Sequence, residues 1–90
     1  MEIKVVKDEA KELVLQFGTK DLTIPDLLAH ELLGDSDVTF AGVSKEHPEV
    51  GEPLLVVKTN RKKAVDAVTS AIDRINDSIK EMRAGVSKRK

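Results

Sequence analysis

The side chains able to do chemistry in this chain are two histidines, some clustered carboxylates and one run of cations. Their spacing argues against each in turn. His30-Glu31-Leu32-Leu33-Gly34 opens like the zinc-protease motif H-E-x-x-H, but glycine stands where the second imidazole belongs. Zinc needs both imidazoles on one helical face, so His30 reads as a surface or interface polar residue. His47 precedes Pro48. It could serve as a general base or a ligand, but the chain has no Cys and offers no Ser–His–Asp spacing, so we read it as a turn residue. Glu46, Glu49 and Glu52 lack the spacing and flanking helices of a Ca²⁺ loop and read as a solvated loop tip. Asp35-Ser36-Asp37 reads as a loop between helix and strand. No G-x-G-x-x-G or phosphate-loop pattern occurs. The expectation is no catalytic residue, no cofactor and no metal.

Arg61-Lys62-Lys63 is the remaining oddity. At a helix amino terminus, three cations oppose the helix dipole at a cost of about 0.3 kcal/mol or more each. They read as a solvated cluster capped by Thr59 or Asn60. The alternative is contact with an acidic partner surface or nucleic acid. Composition weighs on that choice. Lys plus Arg number 15 against 16 Asp plus Glu, a net charge of -1, whereas a phosphate binder carries a basic excess. Aromatics are 2% of the chain, namely Phe17 and Phe40, too few for base stacking. The core must be aliphatic. Without Cys there is no disulfide and no thiolate site. The apolar run Leu54 to Val57 is far too short to span a membrane, and the start lacks the pattern of a signal peptide. A soluble cytoplasmic chain is expected, with no membrane partner.

Positioning elements follow from periodicity. Glu2 to Lys7 and Glu12 to Phe17 alternate apolar with polar and read as a strand hairpin turning at Asp8 to Lys11. Asp37 to Lys45 is a third strand. Leu54 to Thr59 is a fourth, whose unbroken apolar run predicts burial on both faces. Between the second and third lies a helix with Thr23 as N-cap, Asp26 three residues on, Pro25 in the first turn and Gly34 as stop. Its apolar positions are Ile24, Leu27, Leu28, Leu32 and Leu33. A second helix is predicted from Arg61 to Arg83, with Val65, Val68, Ile72, Ile75, Ile79 and Met82 spaced alternately three and four apart, a heptad seam. About 22 residues at 1.5 Å give roughly 33 Å, against roughly 20 Å for six-residue strands. The helix must overhang its sheet, and Ile75, Ile79 and Met82 overhang with it. Leaving them wet would forfeit roughly 1.5–3 kcal/mol each, so a partner surface is the natural remedy. Residues 1–84 read as a single domain, and 85–90 as a flexible basic tail.

One stretch carries a resemblance. The helix start Leu22-Thr23-Ile24-Pro25-Asp26-Leu27-Leu28, the strand end Phe40-Ala41-Gly42 and the turn Glu46-His47-Pro48 resemble the archaeal RNA polymerase subunit L family. That family is related to the amino-terminal domain of the bacterial alpha subunit. Leu22, Asp26, Val43 and Glu49 depart from its usual His, Asn, Tyr and Leu. The resemblance implies an α+β fold, a two-layer ββαββα unit with an antiparallel four-stranded sheet covered by two helices, which is the element order already read from periodicity. It implies a non-catalytic assembly subunit of DNA-directed RNA polymerase. Such a subunit pairs through its helices with a larger homologous chain, the alpha-like D subunit of RNA polymerase, and the pair then receives the large catalytic subunits. DNA would be met only through the assembled complex. Together with the seam, it makes Leu28, Leu32, Val68, Ile72, Ile75, Ile79 and Met82 the expected partner interface.

A free-standing homodimeric binding module using the same seam is the alternative. A small enzyme lacks a catalytic constellation, and a chromatin-type nucleic-acid binder lacks the charge. The charge argument gives a first prediction. The purified chain should bind duplex DNA only weakly, through Arg61-Lys62-Lys63 and Lys88-Arg89-Lys90, and lose that binding with added salt. Tight binding at physiological ionic strength that survives neutralising those six cations would refute the scaffold reading.

Overall fold

The computed structural model describes residues 3–18, 22–44 and 52–87. The elements run β1 (Ile3–Glu9), β2 (Glu12–Phe17), α1 (Thr23–Leu32), β3 (Val38–Ser44), β4 (Leu54–Thr59) and α2 (Ala64–Ser87). The strands form one antiparallel sheet in the order β1-β2-β4-β3. The α+β two-layer ββαββα architecture is therefore as the pattern required. The expected Glu46-His47-Pro48 turn and Lys88-Arg89-Lys90 tail lie outside the described residues.

Both helices cover one face of the sheet. Leu13, Leu15 and Phe17 of β2 alternate inward and meet Leu55 and Val57 of β4. Leu28, Ala29 and Leu32 of α1 and Ala64, Ala67, Val68 and Ala71 of α2 close the core from above. The alanines let α2 settle close to the sheet. β4 meets its expectation in part: Leu54, Leu55 and Val57 are buried, but Val56, on the face opposite Leu55 and Val57, is only half covered. Leu55, Val57 and Thr59 face the core, while Val56 is half-buried and Lys58 is exposed. Val56 owes its partial cover to its register neighbours Val14 and Gly42 on the open face. On that face the Phe40 ring lies over Gly42, where a Cβ would meet the ring edge at 3.1 Å. The Lys58 ammonium sits 5.8 Å from the ring centre.

Helix ends differ from the sequence reading by a few residues. Leu22 is already helical (φ -85, ψ -3) and takes the cap position, so Thr23 is the first helical residue, not the N-cap. Gly34 does not end α1 through a left-handed conformation. The helix tightens instead, with the Gly34 and Asp35 amides donating to the carbonyls of Glu31 and Leu32. α2 begins at Ala64 and continues through Gly85 to Ser87, where fraying was expected.

The late start of α2 gives Arg61-Lys62-Lys63 a different role. The run is a loop, and much of it is engaged inside the chain. The Asp37 carboxylate accepts the backbone amides of Lys62 at 2.8 Å and Arg61 at 3.0 Å. The Lys62 ammonium pairs with Asp35. Asp35 in turn accepts the Asp37 amide at 2.9 Å. The loop after α1 thus clamps the loop before α2.

The packing and the clamp are each testable. Leu28→Ala should cost about 2–5 kcal/mol in urea melts, because Leu28 is packed in the core. The clamp should respond to pH. Backbone amides of Lys62 and Arg61 hold Asp37 below the usual carboxylate range. The Lys62 ammonium, then the Asp37 amide, do the same for Asp35. A carboxyl depressed on folding stabilises above its unfolded pKa of about 4, and that stability fades as pH falls through the lower folded value. Thermal melts from neutral pH to about pH 2 should show the wild type losing stability at the acid end. Asp37→Ala should start less stable at neutral pH and lose less on acidification.

Candidate protein–protein interface

The core closes before α2 does. Its buried residues end at Ala71, and only Ile75 beyond them still packs partly against the core. Twenty-four residues give α2 a length of roughly 36 Å, against roughly 20 Å of sheet. From Asn76 to Ser87 every residue is exposed. A compact chain of this length would have a radius of gyration near ~12 Å, and the protruding helix raises it to 14.5 Å.

The seam continues along this overhang. Ile79 is 44% exposed, and Met82 and Val86 are each 69% exposed. Toward the body of the chain the seam meets a groove between the two helices and the end of β1. Ile3, Phe17, Ile24, Leu27, Leu28, Ile72 and Ile75 line it, with Asn76 at its edge, around a volume of about 180 Å³. The groove exists because the helices lie over β2, β4 and β3 and leave β1 bare along its whole length. Ile3 and Val5 pair with Phe17 and Leu15, so they lean toward the helical side with no helix above them. Arg74 fixes the crossing of the helices: its guanidinium donates to the Glu31 carboxylate at 3.1 Å and to the Glu31 carbonyl at 3.2 Å. Such an exposed pair contributes little energy, but it satisfies a carbonyl in the last turn of α1 and sets the helix angle.

The expected interface residues thus divide. Leu32 and Val68 are used up in the chain's own core, and Leu28 is packed there with one edge on the groove wall. Ile75 is shared, half in the core and half in the groove. Ile72, Ile79 and Met82 are exposed. Ile3, Ile24, Leu27 and Val86 belong to the same apolar face and were not expected there. For α1 the signal was present: a helical repeat that buries Pro25, Leu28, Ala29 and Leu32 turns Ile24 and Leu27 to the neighbouring face. A rim of exposed charge flanks the seam, with Asp73, Asp77, Lys80, Glu81 and Arg83. Among the described residues no cluster of three or more His, Cys, Asp or Glu could hold a metal ion, and no helix is long and apolar enough to cross a membrane.

Known proteins share this arrangement. The chain is 36% identical over 74 residues to DNA-directed RNA polymerase subunit Rpo11 of Sulfolobus acidocaldarius, covering 81% of this chain and 82% of that one. It is 32% identical over 75 residues to the Rpo11 subunit of Archaeoglobus fulgidus, covering 83% and 87%. Its fold matches the crystal structure of RNA polymerase subunit L from Thermoplasma acidophilum with a TM-score of 0.87, at 21% identity, over 97% of this chain and 86% of that one. The pattern of the RNA polymerase Rpb3/Rpb11 dimerisation domain matches residues 12–84, nearly everything from β2 to the end of the seam, and the chain belongs to that family.

Proposed function

We propose that this chain is a non-catalytic assembly subunit of a DNA-directed RNA polymerase, working in the cytoplasm. It pairs through the α2 seam and the adjoining groove with a larger alpha-like chain, of the kind represented by the archaeal D subunit. The pair is a platform for the large catalytic subunits, and DNA meets this chain only within the assembled enzyme. The observation that carries the reading is the apolar strip Ile72, Ile75, Ile79, Met82 and Val86, which runs beyond the point where the chain's own core ends. Family membership supports a dimerising role, and the Rpo11 name of the archaeal relatives supports the polymerase setting.

Physics sets the form of the partner. A strip of isoleucine, methionine and valine side chains is matched by another aliphatic helix face, at roughly 25 cal/mol per Å² of apolar surface removed from water. Register must come from the rim, where Asn76, Lys80 and Arg83 offer donors and Asp73 and Asp77 offer acceptors.

Co-expression with the larger chain tests the reading. A stable one-to-one complex should elute as one species on gel filtration. Ile79→Asp should abolish it while leaving the circular dichroism of the isolated chain unchanged, because a charge would enter the interface without touching the core. Ile75→Asp should both abolish pairing and destabilise the isolated chain, since Ile75 also packs on the core. Two separate peaks for the wild-type pair, or full pairing by Ile79→Asp, would remove the seam from consideration.

A further inference from the structure

We propose that Met82 is a site of oxidative modification, and that its sulfoxide keeps a folded, unpaired chain from joining the larger one. The inference rests on the reading that the α2 seam is the partner face, and it adds a chemical control over that face.

Composition concentrates the chemistry. A dilute peroxide attacks sulfur before other side chains, and this chain has no Cys, no Trp, no Tyr and only 2 Met. Met1 opens the chain, and Met82 lies on the seam, 69% exposed. Met82 stands about two helical turns past Ile75, the last side chain of α2 that packs on the core. It shares one hollow on the arm with Ile79, Arg83, Val86 and Ser87. An unbranched thioether suits a surface that must fit an irregular partner, and its sulfur is the one reactive atom in an otherwise inert aliphatic strip.

The reaction needs an oxidant of the peroxide class. A sulfur lone pair attacks one oxygen of hydrogen peroxide; the O–O bond breaks, an S–O bond forms and water leaves. The sulfur gives up an electron pair, and the peroxide is reduced to water. The product replaces a soft apolar sulfur with a strongly polar sulfoxide, whose oxygen requires a hydrogen-bond donor. In the free chain water supplies that donor, and folding is untouched because Met82 is no part of the core. In the pair, the surrounding strip of Ile75, Ile79 and Val86 offers none, so burying the oxygen opposes pairing. Pairing in turn covers Met82. Oxidation therefore acts on the unpaired chain and not on the finished pair. Sulfoxide reductases reverse the change, so the block is reversible.

The test treats the purified full chain with hydrogen peroxide, removes the peroxide, and then adds the larger D-type chain. Peptide mass mapping separates oxidation at Met82 from oxidation at Met1. The Met82 sulfoxide form should keep the circular dichroism of the untreated chain and bind the larger chain at least about tenfold more weakly. Incubation with a methionine sulfoxide reductase should restore binding. In the preformed pair, Met82 should be oxidised severalfold more slowly than in the free chain. Met82→Leu, which keeps Met1, should bind equally before and after peroxide, each sample being compared with itself untreated. Should that variant not bind at all, the reductase rescue and the protection in the pair carry the same test. Undiminished binding by the Met82 sulfoxide form, equal oxidation of Met82 in the free chain and the pair, or loss of binding by treated Met82→Leu would each overturn the inference. An untreated wild-type chain that fails to bind would instead sink the proposed function, and this inference with it.

Discussion

One mismatch of lengths governs this molecule: α2 is longer than the sheet it lies on. A helix can bury apolar side chains only where something lies beneath them. Four strands of six or seven residues give a short floor, and the floor ends near Ile75. Up to that point α2 gives Ala64, Ala67, Val68 and Ala71 to the core against Leu55, Val57 and Phe17, while Val65 and Ile72 of the seam stay exposed. Beyond it the same sequence pattern becomes surface. The chain is small, and its core has a single aromatic side chain, Phe17, so it has little to spare for covering the arm itself.

For the overhang to present a defined face, the start of α2 must be held. Short backbone bonds from three places hold it. The Ala64 amide donates to the Ala10 carbonyl in the β1–β2 turn at 2.8 Å, and the Thr59 amide donates to the Lys11 carbonyl at 3.0 Å. The Asn60 amide donates to the Asp37 carbonyl at 2.9 Å, beside the carboxylate that takes the amides of Arg61 and Lys62. With its start tied at these points and its middle tied to α1 through Arg74 and Glu31, α2 is positioned by polar contacts and packed by apolar ones. The direction of the arm is therefore fixed by residues distant from the arm.

What was legible in the sequence follows from which forces are local. β4 was readable to the residue, because its limits are set by Pro53 before it and polar residues after it. The long seam was readable because its repeat is helical and nothing in it breaks. Which seam residues belong to the core was not readable. Val68 and Met82 are alike in the heptad, yet one is buried and the other exposed, and only the reach of the sheet separates them. The clamp of Asp35 and Asp37 on Arg61 and Lys62 joins residues more than twenty positions apart, so three cations looked like a helix terminus in unfavourable company. Val86 was lost because Gly85 reads as a breaker. A glycine inside a helix costs only about 1 kcal/mol, and α2 runs through it.

The apolar face itself narrows what can cover it. Its one ring, Phe17 on the groove wall, is fully buried and offers no face to a base, and the nearest basic loop has its Lys62 ammonium and two of its amides already committed to Asp35 and Asp37. Nucleic acid would find no stacking platform there, and the cations on the rim, Lys80 and Arg83, are interspersed with Asp73, Asp77 and Glu81. A lipid surface would need a broad apolar face, but the strip is one or two side chains wide and is edged by Asp73, Asp77 and Glu81. A second helix with a matching stripe fits both its width and its length. The energy of that contact comes from aliphatic burial, which does not discriminate between one aliphatic helix and another. Discrimination therefore belongs to the rim and to the fixed angle of the arm. That is why the polar anchoring at the start of α2 matters to partner choice as much as the seam does.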